Sequence, residues 1–213
     1  MDDVRWERYG ALAGVVFVVL VVVGALIGGS PPMPSDSSDT ITKYFTDNQD
    51  QLQVAAYLNG LAVVPFLWFL GSLFGRLRRA EGGAGRLAGI ALAGGVATVP
   101  IAMVANGLAA EATLRPAGAP GEFRLSTILF GYTAFAIAVL VAATSIVVVR
   151  TRLLPAWVGW AGEVLAAGWL AAGLAVSSQK DAIAAIGFVV FLMWAAWIVV
   201  VSVLLSRSAD SGG

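Results

Sequence analysis

Glu163 is the residue of this chain whose chemistry most needs explaining. It is the one acid or base well inside a long apolar segment, eight residues beyond Pro155. At about 1.5 Å per helical residue that is ~12 Å along a helix axis. A charge at the centre of a membrane helix costs about 2.5–3.5 kcal/mol on insertion scales. Two readings meet that cost. The first is a proton-linked or cation-binding carboxyl facing a cavity; the second is a protonated acid bonded to a backbone carbonyl or a neighbouring hydroxyl. No Lys or Arg stands at a matching depth in another apolar segment, which favours the neutral form.

A second polar set is defined by depth. Asn59, Asn106, Tyr132 and Thr133 each lie 17–20 residues from the arginines that end their segments. Pro65 and Pro100 interrupt two of those segments nearby, and each frees a backbone carbonyl. Together with Glu163 these are the candidate ligand-binding residues, the four forming an outward-opening pocket between the second, third and fourth segments for a small molecule or lipid headgroup. The alternative is ordinary interhelical hydrogen bonding, worth about 0.6 kcal/mol per contact.

Catalytic chemistry finds little footing. The chain has no His and no Cys, which removes imidazole bases, thiolate nucleophiles and the commonest zinc and haem ligands. No Asp lies within an apolar segment, so a paired-aspartate site is not available. No phosphate-loop or dinucleotide fingerprint appears. The expectation is no catalytic residue, no metal and no cofactor. Net charge is zero, from 13 basic and 13 acidic residues, which gives no field for nucleic acid.

The elements that must hold these groups are membrane helices. Apolar residues make up 59% of 213 and charged ones 12%, with a mean hydropathy of +0.85; soluble domains run at roughly 45–50% and about 25%. Windows free of charge, one of them interrupted only by Glu163, predict six spans at about 9–29, 52–75, 87–109, 125–149, 155–177 and 182–205. Each can cross a bilayer, which needs ~20 apolar residues. The fold class is therefore an all-α, polytopic six-helix membrane bundle forming one domain over 1–213. The first span follows Arg5 and Arg8, but its apolar run exceeds the ~7–15 residues of a signal sequence and Pro31-Pro32 follow it. It reads as a retained anchor.

Arginine placement sets the orientation. The Gly-rich turn between the second and third spans carries Arg76, Arg78, Arg79 and Arg86, and such residues resist translocation. With both termini cytoplasmic, nine Lys and Arg lie inside and four outside. The expected location is the inner (plasma) membrane, with the lipid bilayer itself, a membrane protein or a second copy as partner.

The loop 30–50 is the longest connection. Its prolines 31, 32 and 34 begin it extended, Ser37-Ser38-Asp39 offers an N-cap, and Ile41, Tyr44 and Phe45 share one side of a short helix. That helix is expected to lie on the outer leaflet with its aromatic side down, or else to act as a lid. The loop 111–124, with Pro116, Gly118, Pro120 and Gly121, is expected to be a compact irregular turn, and 177–181 a tight one. Trp6, Tyr9, Trp157 and Trp160 mark inner helix ends, and Trp68, Trp169, Trp194 and Trp197 lie deeper. Gly71 with Gly75, Gly85 with Gly89, and Gly159, Gly162, Ala166 and Gly173 have the spacing of close-packing faces. Leu12-Ala13-Gly14, Leu87-Ala88-Gly89 and Trp160-Ala161-Gly162 hint at three repeated hairpins.

The six-span pattern, the Tyr44…Asn48 element, the Arg76–Arg86 turn and the run Leu154-Pro155-Ala156-Trp157-Val158-Gly159-Trp160-Ala161-Gly162 resemble a domain-of-unknown-function family of six-helix bacterial integral membrane proteins. The resemblance implies location and no catalytic residue, and Glu163 departs from the apolar residue it leads one to expect. The function expected is a non-enzymatic membrane component binding a lipophilic small molecule or a membrane partner. A proton-coupled transporter using Glu163 is the alternative, and an enzyme acting on lipid comes third.

Overall fold

A computed structural model describes residues 2–176 and 181–208. Residues 177–180 of the 177–181 turn and the side chains of Arg5, Trp6 and Arg8 lie outside the described residues. What is described is almost wholly helical: α1 (Asp2–Gly28), α2 (Ser38–Asp47), α3 (Gln49–Glu81), α4 (Arg86–Leu114), α5 (Ala119–Thr151), α6 (Ala156–Ala172) and α7 (Asp181–Ser208). Five helices are long and apolar enough to cross a membrane, over Tyr9–Gly28, Gln49–Glu81, Arg86–Leu114, Pro116–Thr151 and Ile186–Arg207. The helix α6 is shorter, at 17 residues, and runs on into a tight 3₁₀ turn over Gly173–Val176.

Helix boundaries follow local chemistry. Pro65 and Pro100 sit inside α3 and α4 without ending them, as membrane helices tolerate. Between α4 and α5, the irregular turn expected from its prolines is instead nearly continuous helix. The helix α4 runs to Leu114, a 3₁₀ turn occupies Pro116–Gly118, and α5 starts at Ala119. Pro116 and Pro120 fall in first turns, where no intrahelical N–H is needed.

Helices pack largely in chain order. α1 lies on α3, α3 on α4, α4 on α5, α5 on α6 and α6 on α7, and α7 returns to α1. Where the circuit closes, aromatic rings fill the centre. Trp194 of α7 meets Phe17 of α1 at 5.7 Å, Phe66 of α3 at 6.3 Å and Trp169 of α6 at 5.8 Å. Trp169 and Trp194 cross at 89°, the edge-to-face arrangement that ring quadrupoles favour.

Small residues set the close approaches, though not all of those expected. A methyl built on Gly94 would lie 2.7 Å from the Leu140 backbone nitrogen and 2.8 Å from the Ala136 carbonyl oxygen, so α4 and α5 touch backbone to backbone. Gly159, Gly162 and Gly173 are tight against α5 as expected. Gly71, Gly75 and Gly89 face open space; with the exposed Trp68, the first two belong to the outer perimeter. Glycine also recurs opposite serine. The Ser72 hydroxyl occupies the space a side chain on Gly10 would take, as do Ser202 for Gly14 and Ser145 for Gly162.

The helix α2 corrects a second expectation. Its N-cap is Ser37, whose hydroxyl accepts from the Thr40 N–H at 3.2 Å. Ile41 and Phe45, on its apolar face, are buried against Ala112, Ala119 and Phe123, so that face meets protein and not the outer leaflet. Two ties hold it. Tyr44 donates its hydroxyl to the Gly28 carbonyl at 2.6 Å, with burial raising its pKa above the ordinary phenol value. Arg124 of α5 donates to the carbonyls of Pro34 at 2.9 Å and Asp36 at 3.1 Å. The segment 30–50 is a cap on one end of the bundle.

Candidate functional site

The four polar residues grouped by depth have different local partners. Asn106 donates from Nδ2 to the Ala56 carbonyl at 3.1 Å, tying α4 to α3. Asn59 turns the other way, towards α1, where a methyl on Gly24 would come within 3.1 Å of its Oδ1. Thr133 is buried and donates back to Phe130 of its own helix at 2.6 Å. Tyr132 is 47% exposed beside Phe135. Asn106 and Thr133 thus each bond a backbone carbonyl, while Asn59 packs against α1.

Glu163 stands apart from that set. Val158, Gly159, Gly162, Leu165, Ala166 and Trp169 form the buried face of α6. At 100° per residue Glu163 falls just outside that face, half-buried, with Trp160, Val164 and Leu170 exposed beside it. Among the described residues it makes no hydrogen bond or ion pair. Its carboxyl is therefore placed on the flank of the bundle, away from the aromatic centre. Nearby, Trp197 of α7 donates to the Val158 carbonyl at 3.0 Å, which fixes α6 against α7.

Buried hydroxyls were not singled out from sequence. Thr144, Ser145 and Ser202 are wholly buried, with oxygens that have no hydrogen-bond partner. Their cost, about 1–3 kcal/mol each when unsatisfied, is partly offset for Ser145 and Ser202 by contact with the glycines opposite, which lets backbones approach. Nothing in their spacing sets them apart from other small residues of the same helices. Among the described residues no three acids gather as a metal-binding group.

In comparisons with known proteins, no family model, no curated protein and no solved structure matches the chain.

The basic turn is more built than its composition suggests. Gly82, Gly83 and Gly85 take φ of +68°, +54° and +60°, a backbone that other residues adopt only with strain. Those glycines fold the chain so that Glu81 reaches over the start of α4. Its two carboxylate oxygens accept from the N–H groups of Leu87 at 3.0 Å and Ala88 at 2.9 Å, two of the donors every helix start leaves open. Bonding to Leu87 and then Ala88 lowers the carboxyl pKa. A folded value below the unfolded one, about 4.3, gives stability present above that pH and lost as pH falls through the folded value. Thermal unfolding in detergent should show this acid-side loss in the wild type and not in Glu81→Gln, which is expected to be the less stable protein at neutral pH. Beside the turn opens a cavity of ≈ 450 Å³, lined by Phe74, Gly75, Arg78, Arg79, Gly82 and Gly83.

Proposed function

We propose that this chain is a six-span, non-enzymatic component of a bacterial plasma membrane, with both termini cytoplasmic, that engages a membrane partner through the flank of α6. The observation that carries the reading is Glu163: an acid at membrane depth, half-exposed at the edge of its helix, with no bond to the described residues of its own chain. Polar side chains facing lipid are costly, so one on the perimeter is best accounted for by a group that covers it.

Length supports the sixth span. The 17 residues of α6 at ~1.5 Å and the four of the 3₁₀ turn at ~2 Å reach about 33 Å, against ~30 Å of hydrocarbon. Arginine placement supports the orientation, nine basic residues against four. The six-helix bacterial family of unknown function remains part of the proposal, resting on the sequence pattern alone. Transport through the middle of the bundle gains no support, because rings from α1, α3, α6 and α7 occupy its centre.

A photo-crosslinking residue at Val164, in membranes of the native host, tests the idea. The wild-type flank should give a discrete membrane-protein adduct, its own copy included. Glu163→Gln should lower the yield about three- to twentyfold, as loss of an intramembrane polar contact of ~0.6–1.7 kcal/mol predicts, with unchanged thermal stability. An equal adduct from both proteins removes Glu163 from recognition. Loss of pH-dependent uptake in Glu163→Gln would instead establish the transporter.

A further inference from the structure

We infer that the cavity beside the Arg76–Arg86 turn is a binding site for a phosphate-bearing anion, and that its occupant is the phosphodiester headgroup of an anionic lipid. Three features of the wall carry this. Phe74 and Gly75 form its apolar side, and Gly75 is the last residue of the uncharged window of α3, so that side borders the hydrocarbon. Arg78 and Arg79, both exposed, form its cationic side one turn further on; paired guanidinium groups suit phosphate oxygens in geometry as well as charge. Gly82 and Gly83 form the remaining side, and a methyl on either would meet nothing within 4 Å, so the backbone there stays open to a ligand.

Two of the turn's four arginines line the cavity. Glu81, the turn's one acid, holds the turn to α4 by accepting from the N–H groups of Leu87 and Ala88. The aliphatic stem of Arg78 lies over Gly85, where a methyl would come within 2.9 Å of its Cγ, and this fixes the root of the side chain beside the opening. A volume of ≈ 450 Å³ falls within the ~300–1,000 Å³ range of small-molecule sites. Apolar wall, cationic wall and bilayer edge together match a lipid whose acyl chains continue into the membrane, as basic pockets at helix ends do elsewhere. The inference rests on α3 crossing a bilayer and is independent of the role given to Glu163.

Isothermal titration of the purified full chain in a neutral maltoside detergent tests it, with short-chain phosphatidylglycerol, short-chain phosphatidylcholine and inorganic phosphate as probes. Phosphatidylglycerol should bind, more weakly as salt rises, and phosphatidylcholine should not. Arg78→Ala/Arg79→Ala should weaken binding roughly 30-fold, each basic residue near an anionic surface being worth about fivefold. Arg86→Ala, which removes a charge from the same turn outside the cavity, should leave it within about twofold. Arg78→Lys/Arg79→Lys keeps the charges that guide insertion and should bind several-fold more weakly than wild type, which covers the case in which the alanine variant does not fold. Inorganic phosphate bound and lost in the same variants would make a free anion the occupant of the same site. Equal binding of the two lipids, no binding of either phosphatidylglycerol or phosphate, or the same loss in Arg86→Ala would overturn the inference. Failure of the wild type to float with neutral vesicles would count against the membrane reading instead.

Discussion

Gly94→Leu is expected to leave little folded protein. The position faces the backbone of α5 directly, at the Leu140 nitrogen and the Ala136 carbonyl, and backbone cannot rotate aside as a side chain can. Any side chain there must push α4 and α5 apart where their backbones touch. Overpacking ordinarily costs about 1–3 kcal/mol; separating two helices also forfeits contacts along their whole crossing, because dispersion falls off steeply with a gap of even 0.5–1 Å. Against a total stability of about 5–15 kcal/mol, the combined loss is a large share. Yield of monodisperse protein in detergent, compared with Gly89→Leu, provides the measurement. Gly89 faces open space, so its variant should purify normally. Equal yields would mean that α4 and α5 do not meet in this way.

Trp194→Ala should cost about 3–5 kcal/mol, the usual range for emptying a large buried aromatic site. The ring is 4% exposed and meets Phe17, Phe66, Trp169 and Phe191, so its loss strips contacts from α1, α3 and α6 together. Within a membrane the loss is chiefly one of packing, since lipid tails are as apolar as the core and do not drive helices together. Trp68→Ala is the counterpart: Trp68 is 56% exposed, and its removal should shift the unfolding midpoint far less. Similar shifts for the two would show that Trp194 does not organise the centre.

The contrast between these pairs shows what could be read from the chain. The five long apolar helices were legible, because charge-free windows are long and end sharply at charged residues. Which way each helix turns was not. In a soluble helix the polar face announces the solvent side; along α4 and α5 apolar residues surround the axis, and lipid and core ask for the same side chains. So Gly71, Gly75 and Gly89 looked as suited to packing as Gly94, and only the fold separates them. Asn59, Asn106, Tyr132 and Thr133 could be placed by depth, a matter of counting, but not by azimuth, and they point to separate neighbours. The helix α2 is a partial exception. Its periodicity gave the face carrying Ile41, Tyr44 and Phe45 correctly, while the surface covering that face, a protein end and not a leaflet, depends on contacts remote in sequence. The basic turn was read for its charge alone; that Glu81 is drawn over the start of α4 depends on three glycines with left-handed backbone acting together.

One feature of the packing bears on how the molecule comes to be made. Successive helices are neighbours from α3 through α7, so each can dock on its predecessor soon after leaving the ribosome, with little chain entropy to lose. The exception is the contact of α1 with α7, which joins helices far apart in sequence. Until α7 is synthesised, Phe17 and Phe66 lack the indole that completes their cluster, and the nascent bundle presents an unfinished side. Closure of the α1–α7 contact, and with it the aromatic cluster, therefore waits for α7.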